Sequence, residues 1–156
     1  MKLHLVCVGK LPAFLREAVA EYAGRIGRYL PFATIELKEE KGGKKPDPRF
    51  IRDREGERIL DKLPPEAFVV VLDERGRSLG SEDLAELLDR HMVQGTQDMR
   101  LVIGGAFGLG EAVKKRANLL LSLSPLTFTH QLARLILLEQ VYRGFSILRN
   151  EPYHNR

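Results

Sequence analysis

Three continuous apolar runs, each next to a segment with helical character, constrain the fold of this chain more than any other feature. They lie in the predicted strands 67–72, 100–103 and 118–123. A strand that is apolar along its length is buried on both faces, which is typical of a parallel sheet covered by helices on each side. The pattern therefore predicts an α/β fold, a parallel sheet flanked by helices.

The other segments continue this alternation of strands and helices. Residues 2–8 and 32–38 are predicted as strands, and the polar stretch 39–48, with its Gly and Pro residues, as a loop. Ser81 is predicted to cap the helix that follows it. Helices are predicted over 12–30, 49–62, 82–92, 111–117 and 130–149.

The last predicted helix, 130–149, is apolar over most of its circumference. Such a helix has to be buried, and the end of a small domain rarely offers enough cover. A second subunit is the simplest cover, so a homodimer is expected.

Length and composition limit the class of protein. The chain has 156 residues, of which 44% are hydrophobic, which predicts one compact domain over 1–156. Its single cysteine, Cys7, excludes a disulfide framework and a CxxC metal site, so no metal is expected. The sequence has neither a signal-peptide pattern nor an apolar stretch of membrane-spanning length, which predicts a cytoplasmic protein.

The glycine-rich stretch IGGAFGLG, 103–110, raises the question of a nucleotide loop. A dinucleotide fingerprint requires GxGxxG, usually after the first strand, whereas here the order is GGxxGxG and the strand is a late one. A phosphate loop ends in Gly-Lys-Ser/Thr, whereas Gly110 precedes Glu111. Glycine alone is equally compatible with a sharp turn.

Two further loops follow buried strands, as the glycine-rich stretch does. They are LDERG at 72–76 and LSPLTFTHQLAR at 123–134. Ligands of parallel sheets bind beyond the carboxyl ends of the strands, so these three loops are expected to lie together. A loop with apolar walls and free backbone groups suits a flat, mostly uncharged ligand such as adenine.

These segments, with SPLTFTHQLARLILLEQVYRGFSI and the terminal PYH, resemble the SPOUT class of methyltransferases. Within that class they are most similar to enzymes that N3-methylate a pseudouridine in 23S ribosomal RNA. The likeness covers the whole chain from MKLHLVCVGK onwards, and its final thirty or so residues are the most specific part. Thr129, where a proline is usual, and the additional Gly110 depart from the family pattern.

The resemblance implies a C-terminal trefoil knot, a homodimer and S-adenosyl-L-methionine (SAM) as cofactor. It also implies methylation in the helix 69 region of assembled ribosomes, with ribosome and 23S rRNA as partners and no membrane. Carried over by position, the cofactor-binding residues are Leu72, Gly104, Leu123, Ser124, Pro125, Leu126, Thr127 and Phe128.

The N3 proton of a uracil-type ring has to leave during methylation, so a base or a cation near the ring is expected to help. His154, Arg143 and Tyr153 are the catalytic candidates. His154 and Tyr153 lie in a tail that could equally be disordered, and Arg143 could equally be a structural residue that snorkels to solvent. His130 and Arg134 are interpreted as structural support.

RNA recognition has a weaker basis in the sequence. The formal net charge is +4, and residues 41–62 contain eight basic residues beside five acidic ones. Most of this segment is interpreted as a solvated surface, some of whose cations contact phosphates. Two other classes remain open, a non-enzymatic RNA-binding relative and, less favoured, a flavodoxin-like or nicotinamide enzyme.

Overall fold

A computed structural model describes residues 1–155 as a five-stranded parallel sheet with helices on both faces. The strand order is β2-β1-β4-β3-β5, which confirms the predicted α/β class. The strands are β1 (Lys2–Val8), β2 (Phe32–Leu37), β3 (Phe68–Ser78), β4 (Asp98–Ile103) and β5 (Leu119–Ser122). The helices are α1 (Ala13–Ile26), α2 (Pro48–Leu60), α3 (Ser81–Val93), α4 (Glu111–Arg116) and α5 (His130–Leu148).

Alternate side chains of the central strands point into two separate cores. Leu3, Leu5 and Cys7 of β1 pack with the buried faces of α1, α3 and α5. Val6 and Val8 of the same strand pack with residues of α2 and α4. This is the two-sided burial that the unbroken apolar runs predict.

Helix α5 lies between α1 and α3, which explains much of its apolar character. Leu137, Leu138, Val141 and Phe145 are at most 2% exposed within the single chain. Leu132 on its outer side is 38% exposed. Neighbouring helices of the same chain thus cover most of α5, and the homodimer stays a prediction.

Two local predictions need correction. Strand β3 does not end at Leu72, because it continues to Ser78 past a break in its register with β5 between Leu72 and Arg77. Ser81 does not cap α3, because the N-cap is Gly80, whose N–H donates to the Asp83 carboxylate at 3.0 Å. The Ser81 hydroxyl instead donates to Gln140 Oε1 at 2.6 Å and ties α3 to α5.

The trefoil knot and the single domain over 1–156 also stay predictions, and Arg156 lies outside the described residues. Within residues 1–155, none of the helices has the length and apolarity that crossing a membrane requires.

Candidate active site

A cleft of about 1200 Å³ opens at the carboxyl edge of the sheet. Its walls come from the three segments that the sequence predicts to lie together: the bulge of β3, the glycine-rich loop after β4, and the loop between β5 and α5. Seven of the eight predicted cofactor contacts line it, namely Leu72, Gly104, Leu123, Ser124, Leu126, Thr127 and Phe128. Pro125 is exposed and does not line the cleft.

The bulge of β3, at the break in register between Leu72 and Arg77, is held by a hydrogen bond and an ion pair of Asp73. Asp73 accepts the Arg75 N–H at 3.0 Å and pairs with Lys114 Nζ at 3.1 Å. The Arg75 N–H and the Lys114 ammonium hold the pKa of the Asp73 carboxyl below its usual range. Asp73 is therefore an ionised residue of the cleft wall whose charge Lys114 neutralises.

The glycine-rich loop makes a sharp turn, in which Gly105 and Gly108 form a small antiparallel bridge. Gly108 has a φ of +81°, which favours glycine. A Cβ on Gly104 would lie 2.7 Å from the Leu109 side chain, and one on Gly105 would lie 2.6 Å from Glu55 Oε1. A side chain at either position would therefore displace Leu109 or Glu55, before any ligand is considered.

Glu55 is a buried acid beside Gly105 of the glycine-rich loop, and its place was not predicted from the sequence. Its carboxyl is only 4% exposed, with Oε2 accepting the Glu40 N–H at 3.0 Å and Oε1 without a partner among the described residues. Burial raises its pKa, helped by the nearby Glu39. Nothing in the charged pattern of α2 distinguishes Glu55 from its solvated neighbours.

The loop between β5 and α5, which forms the third wall of the cleft, is hydrogen-bonded to the bulge of β3, which forms the first. Its last residue caps α5. The Thr127 hydroxyl donates to Glu74 Oε2 at 2.8 Å, across the mouth of the cleft. The Ser124 hydroxyl accepts the Leu126 N–H at 3.0 Å. Thr129, one of the two departures from the family pattern, is the N-cap of α5 and accepts the Leu132 N–H at 3.2 Å. The loop is therefore shaped by local hydrogen bonds and presents Leu126, which is 70% exposed.

His130 and Arg134 anchor the start of α5 to the end of β1. Arg134 is 1% exposed and donates to Glu36 Oε2 at 2.9 Å and to the Gly9 carbonyl at 3.0 Å. His130 lines the cleft, and burial together with the charge of Arg134 lowers its pKa. A neutral imidazole therefore faces the cleft, and the Arg134 contacts agree with the structural role expected from the sequence.

The three catalytic candidates lie together, but away from this cleft. Arg143 donates to Glu139 Oε1 at 3.1 and 2.5 Å and contacts His154 Nδ1 at 3.2 Å. Its guanidinium also lies 4.7 Å above the Tyr153 ring. Arg143 follows the cleft residue His130 by thirteen positions along α5, which corresponds to roughly 20 Å at the rise of an α-helix.

The Tyr153 hydroxyl works as a hydrogen-bond donor in this group. It donates to Glu139 Oε1 at 3.0 Å and lies 3.2 Å from the Tyr22 hydroxyl. Burial, followed by the hydrogen bonds with Tyr22 and Glu139, raises its pKa above the usual range. Tyr153 is therefore protonated near neutral pH and unsuited to act as a base there. We call Glu139, Arg143, Tyr153 and His154 the tail cluster.

The tail cluster also fixes the orientation of the His154 ring. Because Arg143 has no acceptor atom, its contact with Nδ1 assigns the ring proton to Nε2. Nε2 lies 3.6 Å from Glu82 Oε1. Within residues 1–155, no group of three or more His, Cys, Asp or Glu side chains is arranged to hold a metal ion.

The parallel sheet and the three-walled cleft at its carboxyl edge define an α/β protein with a ligand-binding site beyond its strands. Comparison with known families identifies which family this is. A family model described as "Predicted SPOUT methyltransferase" matches residues 1–154, so the chain belongs to the SPOUT methyltransferase family.

Curated relatives of full length narrow the resemblance further. One from Syntrophotalea carbinolica is 59% identical, with all of both chains aligned. Another from Trichlorobacter lovleyi is 47% identical over 99% of this chain and 100% of its own. A third from Bacillus pumilus is 45% identical over 99% of each. All three are named ribosomal RNA large subunit methyltransferase H.

Proposed function

We propose that this protein is a single-domain, homodimeric enzyme that methylates N3 of a pseudouridine in 23S ribosomal RNA. The donor is SAM, and the target lies in the helix 69 region of assembled ribosomes. The observation that carries the proposal is the convergence of three loops on one cleft in a SPOUT methyltransferase. The printed names of the full-length relatives support the ribosomal substrate. Such a substrate implies a cytoplasmic location.

The cleft has the size and lining that the methyl donor requires. Its volume of about 1200 Å³ exceeds the range of roughly 300–1000 Å³ that is typical of pockets for small ligands. That leaves room for a cofactor and part of a nucleotide. Leu72, Leu121 and Phe128 provide apolar walls for an adenine ring, and Ser124 and Thr127 provide hydroxyls. We assign cofactor binding to Leu72, Gly104 and residues 123–128.

SAM, when bound, supplies a methyl group already activated by its sulfonium. What remains for the protein is alignment, which can contribute several kcal/mol, and removal of the N3 proton. His130 is a neutral imidazole in the cleft, whereas the tail cluster contains a cation, Arg143, and a second imidazole, His154. We assign stabilisation of the ring oxygens to Arg143, which Tyr153 holds in place, and proton removal to Nδ1 of His154, which becomes free to accept the proton when Arg143 turns from the imidazole to the substrate.

This assignment requires a second subunit. Roughly 20 Å of helix separates the tail cluster from the cleft of its own chain. In a homodimer, the tail cluster of one subunit can instead face the cleft of the other. A two-fold interface would then form two identical composite sites.

Binding and transfer are tested separately. Calorimetry with SAM is expected to give a saturable isotherm, and absence of binding at millimolar SAM would contradict the proposal. Incubation with unmethylated ribosomes and SAM is expected to add one methyl mass to a single 23S rRNA fragment, on the pseudouridine. Ribosome binding without any added methyl would favour the non-enzymatic RNA-binding relative.

Mixed dimers test whether the site is shared. Leu126→Asp would remove an apolar wall of the cleft, and Arg143→Gln would remove the cation of the tail cluster. Each variant alone is expected to lose at least tenfold in transfer. A mixture that is allowed to exchange subunits should regain activity, because one site in each mixed dimer is intact. Failure to regain it, with exchange verified by mass spectrometry, would assign the tail cluster to its own subunit.

A further inference from the structure

The net positive charge of the chain is concentrated in twelve residues, the last of which reach the cleft. Residues 41–52, which we call the basic segment, contain five basic residues and one acidic residue, a net charge of +4. The whole chain also has a formal charge of +4, so acidic and basic residues balance outside this segment. A local excess of one sign beside a site attracts ligands of the opposite sign.

Four of the five cations of the basic segment are free, unlike most cations that follow it. Within residues 1–155, the side chains of Lys41, Lys44, Lys45 and Arg49 make no hydrogen bond or ion pair. In the rest of α2, Arg54 pairs with Glu57 at 3.4 Å and Arg58 pairs with Glu40. The neutralised part of α2 therefore begins where the basic segment ends.

The basic segment is continuous with the cleft. Arg49 and Arg52 line it, and Arg52 donates to the Phe107 carbonyl of the glycine-rich loop at 3.4 Å. Lys114 of α4, another cation of the cleft lining, is already paired with Asp73. The unneutralised lysines of the basic segment are thus followed along the chain by two arginines that line the cleft.

Exposed aromatic rings lie among these cations. Phe50, two residues before Arg52, is 47% exposed, and Phe107, whose carbonyl accepts from Arg52, is 40% exposed. Arg54 lies 5.5 Å above the Phe50 ring. Cations with interspersed aromatic rings suit single-stranded or looped RNA, whose phosphates bind Lys and Arg and whose unpaired bases stack on rings.

We propose that the basic segment, with Phe50 and Phe107, is the docking surface for the ribosomal RNA next to the target nucleotide. The proposal rests on the proposed function, because it takes the substrate to be ribosomal RNA. The lysines bind phosphates and guide the RNA to the cleft. Phe50 and Phe107 receive bases that flank the target.

A charge-matched pair of double variants tests this surface. The test variant is Lys44→Gln with Lys45→Gln. The control is Lys62→Gln with Arg90→Gln, which removes the same charge from exposed positions near the end of α2 and in the last turn of α3. These helices run back from the carboxyl edge of the sheet, so the control positions lie at the edge opposite the cleft.

Cosedimentation with ribosomes and methyl transfer are measured between about 50 and 200 mM salt. For the test variant we expect ribosome affinity to fall about tenfold, with SAM affinity and kcat at saturating ribosomes unchanged. Loss of two phosphate contacts should also reduce the slope of log affinity against log salt by roughly 1.4. The control should match the wild type in affinity and slope.

The possible failures are distinguishable. If the wild type transfers methyl groups and the test variant behaves like the control, the docking surface is wrong and the proposed function stands. If the wild type binds ribosomes in a lysine-dependent way but transfers no methyl group, the docking surface stands and the proposed function fails. Absence of ribosome binding by the wild type would contradict the docking surface. So would a result in which the lysines matter only for binding to anionic lipid vesicles.

Discussion

The guanidinium of Arg134 donates to the carbonyl oxygen of Gly9 at 3.0 Å and so joins the last helix to the end of the first strand. Gly9 has a φ of +84°, which turns the chain after β1. The other arm of Arg134 reaches Glu36, at the end of β2. Since α5 begins directly after the third wall of the cleft, this buried arginine fixes that wall relative to the sheet.

Replacing Arg134 by Met should therefore destabilise the protein. The apolar side chain would fill part of the space but leave the Gly9 carbonyl without its donor, which costs about 1–3 kcal/mol for a buried group. The free energy of unfolding in urea measures this change. Arg28→Met is the control, because Arg28 is exposed and its change should stay within about 0.5 kcal/mol. An equal loss in both variants would contradict the role of Arg134.

Glu55 predicts a dependence of stability on pH. Burial raises the pKa of its carboxyl above the value in the unfolded chain, about 4.3. The folded state therefore holds this proton more tightly, and its contribution to stability is greatest below that pH and falls as the pH rises through the folded-state pKa. Glu55→Gln removes this titration.

The measurement is the difference in unfolding free energy between Glu55→Gln and the wild type, from about pH 4 to 8. The difference should shift in favour of the Gln variant as the pH rises, and level off once the folded carboxyl is ionised. Asp53→Asn is a suitable control, because Asp53 is exposed on the same helix. A flat difference for Glu55→Gln would show that the carboxyl ionises equally in both states.

The sheet could be predicted from the sequence because each central strand is an apolar run. Such a run can be recognised from its own residues, without knowledge of what packs against it. The sequence also predicted that the segments starting at Leu72, Gly104 and Leu123 meet at one edge of the sheet, which is the geometry of the cleft, although β3 continues past Leu72. It did not predict that Glu55 packs against Gly105, because that contact joins residues fifty positions apart and neither has a distinctive local pattern. The separation of His154 from the cleft likewise depends on the packing of α5.

Replacement of glycine by alanine should have opposite effects on stability at Gly76, which is closely packed, and at Gly24, which has open space around it. A Cβ on Gly76 would lie 2.7 Å from backbone atoms of Leu120, where β3 and β5 approach each other, whereas one on Gly24 would meet nothing within 4 Å. Gly76→Ala should lower the unfolding free energy by about 1–3 kcal/mol, because two strands have to separate. Gly24→Ala, in the interior of α1, should raise it by about 0.5–1 kcal/mol. Melting temperatures that shift in the same direction would contradict this reading of the strand contact.

Thr129 gives a prediction at the junction of the cleft and α5. Its hydroxyl accepts the Leu132 N–H at 3.2 Å and caps the helix. Thr129→Ala should lower the unfolding free energy by about 1 kcal/mol, whereas Thr129→Ser, which keeps the hydroxyl, should change it by only a few tenths. Because the loop 123–128 runs directly into this cap, Thr129→Ala should also weaken SAM binding in calorimetry. Equal stability of the Ala and Ser variants would show that the side-chain cap contributes nothing to the start of α5.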